Sequence, residues 1–378
     1  MRRAQPVAPP ILDASLSYVL AFVGFSALII LHELGHFAAA KWTGMRVERF
    51  SLFFPPHVWK RTRGETEYAI GTIPLGGYVK ITGMSPHEEL SDEVRPRAYL
   101  NMPVWKRIVV IAAGPVVNII VALLIFVALF LFVGTTTREG TQRVKSVEPR
   151  SASAGVLKPG DLLISVDGVR GDSEALREQI GRHRCAGEQA AGCKAATPAR
   201  LVVRRDGKLV TLSAAPRYDA KAKRARLGFL FDAGPPIQRS YGPGAAVTES
   251  FSEIWRVSTA TVDAITRIFY DSEARKEVSG VVGSYEVTRQ SIEFDGKRAL
   301  NILAIISLSL AIVNLFPFLP LDGGHIFWAL AEKLRGRPIP FALLERASVV
   351  GFVLVMFLFV IGFSNDIGRL TGDGFGTP

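Results

Sequence analysis

The chain has 378 residues, 48% of them hydrophobic, with a mean hydropathy of +0.25 and a formal net charge of +11. This is too apolar for an ordinary soluble enzyme and fits a membrane protein that carries one soluble domain. The basic residues are scattered and no nucleic-acid motif accompanies them, so the charge points away from nucleic acid and toward lipid headgroups and membrane topology.

Four segments, 16–40, 108–133, 299–321 and 347–363, come close to the roughly 20 apolar residues that cross a bilayer core. The first holds His32, Glu33, Leu34, Gly35 and His36. On a helix the two histidines lie on one face, four residues apart, and can grip one zinc ion while Glu33 stays free to act as a base. Such a motif in an arbitrary chain is usually a chance match on a core helix. Ionisable groups inside a membrane segment are costly enough to reverse that expectation here. A signal peptide is the competing reading of this end, because Ala38, Ala39 and Ala40 resemble a cleavage site, but cleavage there would discard the motif.

Between the first two spans, residues 41–107 hold eleven Lys/Arg against seven Asp/Glu. Lys333, Arg335, Arg337 and Arg346 follow the third span. Both loops read as cytoplasmic, which places 134–298 and both termini outside, although Arg2 and Arg3 weigh the other way. Within the first loop, 67–73 and 78–82 alternate as short strands around Pro74, Leu75, Gly76 and Gly77, a hairpin expected to lie against the membrane. Residues 85–101 read as a loop, and Lys106 and Arg107 flank the second span.

Residues 144–216 change to short β-rich runs, such as 162–166 and 201–205, separated by turn signals, with a helix expected at 173–182. The stretch 151–168 resembles the core signature of a PDZ domain. Cys185 and Cys193 lie in this external segment, where a disulfide can persist, and are expected to be bridged as a local staple; two inert thiols are the alternative. Residues 245–270 form an amphipathic helix whose Phe251, Ile254, Trp255, Val262, Ile265, Ile268 and Phe269 either lie on the membrane or pack on the protein itself. Residues 279–283 read as a turn or loop before the third span.

The third span ends in Asn314–Leu315–Phe316–Pro317–Phe318–Leu319–Pro320–Leu321–Asp322–Gly323–Gly324–His325, and no helix passes unaltered through both prolines. Broken membrane helices border sites, and Asp322 offers a carboxylate suited to zinc; its bland reading is a turn residue. Two histidines and one aspartate leave a coordination position for water, the mark of a catalytic zinc site. His57, His87 and His183 fall in predicted loops and read as solvated, and His325 is left outside the ligand set.

HELGH in the first span, AGPVVN at 113–118 in the second, the PDZ-like insertion and the NLFPFLPLDGG run together resemble the site-2 protease family of intramembrane zinc metalloproteases, over nearly the whole chain. The likeness is greatest to the four-span bacterial regulators of envelope stress, with one PDZ-like domain. The resemblance implies a polytopic α-helical membrane protein with an inserted extracytoplasmic PDZ-like β-rich domain and a membrane-associated β-hairpin. Its parts are 1–134, the first two spans and the hairpin loop; 135–235, the inserted domain; 236–298, an amphipathic linker; and 299–378, the last two spans. It implies zinc at His32, His36 and Asp322, Glu33 as catalytic base, and Asn314 as a group that positions substrate or the oxyanion. Gly76, Gly77, Tyr78 and Val79 match the membrane-associated β-loop, and Gly114 with Asn118 match the second-span motif, all expected to meet substrate. Val281 departs from the family, which has proline there.

The implied substrates are single-pass membrane proteins, such as anti-sigma factors or remnant signal peptides, cut in the inner membrane toward its cytoplasmic side in regulated intramembrane proteolysis. An edge strand within 67–80 is expected to hold the unwound substrate by β-addition. A metal or ion carrier and a non-proteolytic PDZ adaptor are the competing classes.

Overall fold

The computed structural model describes residues 13–85, 88–220 and 222–372. The chain divides into two units, one made of Met1–Val133 with Ser240–Pro378, the other of Gly134–Arg239. The first unit opens with α1 (Ala14–Trp42), a long helix that leaves Val19, Phe22 and Val23 exposed. Only a hydrocarbon surround makes such an apolar exterior stable.

Strands β1 (Val47–Arg63) and β2 (Thr66–Ile81) follow, joined at Gly64 and Glu65. This corrects the expected hairpin: 66–81 is one strand, and Pro74 to Gly77 is a bend inside it rather than the turn between two. The register shows the layout. Phe50 faces both Tyr68 and Val79, Leu52 faces both Ile70 and Gly77, and Tyr68 also faces Arg61. Each strand therefore folds back, so that residues 66–71 lie centrally between 57–63 and 49–52, while 77–81 runs along the outer side of 47–52. β1 bends where Phe53 adopts a left-handed φ of 68°. His57 is a strand residue whose Nε2 lies 3.2 Å from Tyr78 Oη, which corrects its reading as a solvated loop histidine.

Helix α2 (Val104–Ala128) carries Pro115 in its interior, where the missing N–H opens the hydrogen-bond ladder.

In the second unit β3 (Thr135–Val147), β4 (Leu162–Val166), α3 (Ser173–Gly181), β5 (Ala199–Arg205), β6 (Lys208–Ala214), β7 (Arg217–Asp219), β8 (Arg224–Arg226) and β9 (Phe229–Arg239) follow in order. Five of the strands form one antiparallel sheet, β6-β5-β4-β3-β9. Alternate residues of β4 and β5, Leu163, Leu201 and Val203, bury one face under Leu176 and Ile180 of α3. Cys185 and Cys193 are bridged. His183 is not solvated as expected: its Nε2 lies 2.9 Å from Asp167 Oδ2 and only 9% of the side chain is exposed.

Returning to the first unit, α4 (Pro243–Ile268), α5 (Ser272–Glu277), α6 (Val281–Phe294), α7 (Gly296–Asn314), α8 (Asp322–Arg335) and α9 (Phe341–Thr371) complete the chain. Ile254 and Val257 of α4 pack on Ala122 and Phe126 of α2 and on Ala304 and Leu308 of α7, while Phe251 and Trp255 stay exposed. The amphipathic helix thus packs on the protein through Ile254 and Val257, while Phe251, Trp255, Val262 and Phe269 of the expected face stay exposed. Of the turn or loop expected at 279–283, residues 279 and 280 are irregular and 281–283 instead open α6. Asp366 of α9 accepts from Gly280 N at 3.1 Å and Gly283 N at 2.7 Å, which satisfies N–H groups that a helix start leaves free. Val281 occupies the first helical position, where proline is also favoured, so the departure from the family pattern leaves the backbone path intact.

Among the described residues four helices are long and apolar enough to cross a membrane: Ser15–Trp42, Val104–Val133, Gly296–Asn314 and Phe341–Thr371. The third stops at Asn314, short of the expected boundary at 321. Pro317 and Pro320 prevent its continuation, and Asp322 opens a separate helix in what the sequence suggested was a short connection.

Candidate metal centre

His32 and His36 stand one turn apart on α1, each buried. Their Nε2 atoms are 3.3 Å apart, and Asp322 Oδ2 lies 3.4 Å from each. Asp322 reaches them because it is the first residue of α8, directly after the broken segment 315–321. Gly323 and Gly324 follow it where an added Cβ would overlap the Leu315 carbonyl and the Phe318 backbone, so only glycine lets the chain double back this closely.

This triangle fits zinc. Ligand atoms about 2.0–2.1 Å from a tetrahedral ion lie roughly 3.3–3.4 Å from one another, the spacing found here. Asp322 Oδ2 is buried and has no hydrogen-bond donor. His36 Nδ1 donates to the Val110 carbonyl at 2.9 Å, so its Nε2 presents a lone pair. His32 Nδ1 lies 3.2 Å from the Asn118 side-chain amide, whose carbonyl oxygen is buried and otherwise unpaired. With the amide turned over, its oxygen accepts from Nδ1–H in place of the Nδ2 now facing it, and His32 Nε2 also presents a lone pair. Three electron pairs converging at this range repel one another unless a cation sits between them.

The centre opens into a cavity of about 580 Å³ that Glu33, Gly76, Gly77, Tyr78, Val79 and Asn314 also line. Asn314 is the last residue of α7, and its Nδ2 lies 3.5 Å from His32 Nε2. Gly77 abuts Glu33: a Cβ at this glycine would stand 2.8 Å from Glu33 Cγ. Gly114 and Asn118 do not line the cavity but stand behind the two imidazoles, Gly114 against His36 and Asn118 beside His32. His325 lines the cavity without joining the donor cluster, and among the described residues His32, His36 and Asp322 form the one such group. His87 lies outside the described residues.

The family model described as Peptidase family M50 matches residues 20–358. The chain belongs to this family. A protein of Rhizobium meliloti (strain 1021) named as a zinc metalloprotease is 30% identical to this M50 peptidase over 364 residues, covering 91% of this chain and 94% of its own. One of Agrobacterium fabrum with the same kind of name is 30% identical over 376 residues, covering 94% and 97%. One of Brucella suis is 31% identical over 362 residues, covering 90% and 92%. The M50 peptidase is thus a zinc metalloprotease, and its four membrane-capable helices make it a multi-pass membrane protein.

Several parts of this M50 centre have no signature in the residue pattern. The acceptor for His36 is a main-chain carbonyl, Val110, which any residue type supplies. Gly35 reads as a spacer in HELGH, yet a Cβ there would stand 2.6 Å from the Ala113 carbonyl oxygen, so its absence lets α1 touch α2. The Tyr78 hydroxyl is held between His57 Nε2 and Arg49 Nη1, each at 3.2 Å. Pairing of Tyr78 with β1 required that strand to be recognised first.

Proposed function

We propose that this M50 peptidase cleaves the membrane-spanning segments of single-pass proteins, anti-sigma factors or remnant signal peptides among them, in regulated intramembrane proteolysis. The observation that carries this reading is that Asp322 meets His32 and His36 beside Glu33, the last three on a helix able to span a membrane. His32, His36 and Asp322 would hold the zinc, which would supply an acidified water, with a pKa of roughly 7, and a Lewis acid for the scissile carbonyl. Glu33 takes the proton of the attacking water and returns it to the departing amine, ending as the carboxylate it began as. Asn314 Nδ2, 3.5 Å from His32 Nε2 in the same cavity, donates to the substrate oxygen as charge develops on it.

A helical substrate keeps its carbonyls hydrogen-bonded and must be unwound first. The 77–81 segment supports a way to hold it: one side pairs with β1, the other is an edge, and Gly77, Tyr78 and Val79 face the cavity. The central segment 66–71 has partners on both sides and is unavailable, which narrows the edge expected over 67–80 to its last residues. The sheet unit Gly134–Arg239 acts as a PDZ-like filter outside the inner membrane, and the basic loops around 41–107 and 333–346 lie in the cytoplasm with the catalytic end of the cleft.

Glu33→Gln tests the reading. Co-expressed with a panel of single-pass anchors, the parent should cleave and the variant should not, while both retain equal zinc. Equal processing by the two, or none by the parent, would remove the proteolytic role; a carrier or an adaptor would be indifferent to this change.

A further inference from the structure

A second cavity, of about 480 Å³, adjoins the metal cavity, and Met84 and His325 belong to the walls of both. Its volume falls in the range of about 300–1,000 Å³ in which proteins enclose ligands. Helix α8 joins the two: Asp322 at its start faces the metal centre, and His325, Ala329 and Glu332, spaced along one face, line the second cavity. Ten residues of helix rise make that path about 15 Å, which an extended peptide covers in four or five residues.

The cavity lies toward the start of α2, the end of α8 and the start of α9, hence on the side of the membrane that bears the basic loops. Its wall is mainly apolar, with Leu319, Trp328, Ala329 and Leu344, and it carries two acids. Glu332 is committed: Arg107 grips it with two hydrogen bonds, Nη1 to Oε2 at 3.0 Å and Nη2 to Oε1 at 2.5 Å, and only 6% of the Arg107 side chain is exposed. Glu345, on the exposed first turns of α9, makes no ion pair or hydrogen bond among the described residues. The neutralised Arg107–Glu332 pair leaves Glu345 as the uncompensated charge of the cavity.

We propose that this second cavity receives the substrate's flank as it leaves the membrane beyond the scissile bond, with an apolar side chain packed at Ala329 and a Lys or Arg of the substrate on Glu345. The inference rests on the proteolytic reading above and adds a rule of substrate choice to it. Single-pass proteins carry Lys and Arg where they leave the membrane on the cytoplasmic side, so the flank that a membrane-cutting enzyme meets on this side is basic. The cavity is continuous in wall with the metal cavity, lies four or five extended residues from the metal ligands along α8, and carries one unpaired carboxylate, Glu345, at its exposed end.

The experiment uses the full chain in membranes with anchors that differ only at the third to sixth residues beyond the cut, carrying Lys or Glu. The parent should cleave the Lys anchor about two- to fivefold faster than the Glu anchor, the strength of a solvent-edged ion pair. Glu345→Lys should invert that ratio, which is read within one variant and so does not depend on how much of it folds. Ala329→Phe, which narrows the cavity, should slow anchors with a bulky apolar flank more than those with alanine there. An unchanged Lys-to-Glu ratio in an active Glu345→Lys enzyme overturns the proposal while leaving the proteolytic reading intact. So does a phospholipid that co-purifies with the parent, is lost from Ala329→Phe and leaves the ratio unmoved. Failure of the parent on every anchor sinks both readings together.

Discussion

Replacing Gly114 by alanine should empty the metal centre without touching a ligand. A Cβ built there stands 2.6 Å from Cε1 and 2.8 Å from Cδ2 of His36, and closer still to Nε2. Carbon atoms settle at about 3.5 Å or more, so the ring must withdraw by roughly 1 Å. It has nowhere to go cheaply. Its Nδ1 is tied to the Val110 carbonyl on the same helix that carries Gly114, and α1 and α2 already touch at Gly35. A retreat of that size is about a third of the 3.3 Å separating the two Nε2 atoms. Disturbing groups that only orient a ligand costs about 10–100-fold in metal affinity, and displacing the ligand itself should cost at least that. The assay is zinc content after equilibration with a graded series of chelators, beside Val116→Ala, a change at an exposed position of the same helix that should leave affinity alone. If Gly114→Ala held zinc within a factor of two of the parent, the argument that backbone proximity positions His36 would be wrong.

Two further outcomes follow from the hairpin. Proline at Tyr78 and proline at Val79 should differ in kind, because consecutive N–H groups of a strand point to opposite sides: one variant should lose substrate cleavage while keeping zinc and thermal stability, the other should lose stability through its pairing with β1. Full cleavage by both variants would dispose of β-addition at this edge. Glu65, at the tip between β1 and β2, is held down to about 2 by hydrogen bonds from Arg97 and Lys41. Its folded value lies below the ordinary 4.5, so the stability it contributes is present above about pH 4.5 and is lost as pH falls toward 2. Melting of the detergent-solubilised protein should therefore drop across that window, and Glu65→Gln should be less stable above it and show a shallower drop within it. A drop of identical size in the variant would show that other carboxylates govern the acid limb.

How much of this was legible in the sequence differs by element for physical reasons. The first, second and fourth spans announce themselves as long apolar runs, and the break after the third is forced by Pro317 and Pro320. Helix α8 was hidden because two poor helix formers, Gly323 and Gly324, follow Asp322 at once, although an acid at the first position of a helix is favourable. β1 was hidden because Pro55 and Pro56 sit within it and its last residues are charged. Strand pairing at 57–63 uses backbone groups that tolerate a solvated exterior, so hydrophobic alternation is weak there. For the site, residue types sufficed to bring together His32, His36 and Asp322, whose chemistry few other residues share. They did not separate Gly114 and Asn118, behind the histidines, from Gly76 to Val79, in the cavity, because a motif states which residues matter and not which side of a ligand they occupy.

The same contrast explains why so much of the centre is built from glycine. Inside a membrane a ligand cannot be steadied by ordered solvent, and every polar support has to be brought by the chain itself. The Val110 carbonyl reaches His36 only because Gly114 leaves room for the ring; α1 lies on α2 only because Gly35 has no side chain; Gly77 brings the 77–81 edge against Glu33; and Gly323 and Gly324 let α8 begin beside the donors. Each substitutes close backbone contact for a hydrogen-bonded side chain. A site so constructed gives its metal ligands little freedom, while the 77–81 edge, paired on one side only, keeps backbone groups to offer an incoming strand. Rigidity at the donors and an unfilled edge beside them are what an enzyme needs if it must hold a metal in fixed geometry yet accept a substrate that arrives as a helix and has to be reshaped before it can react.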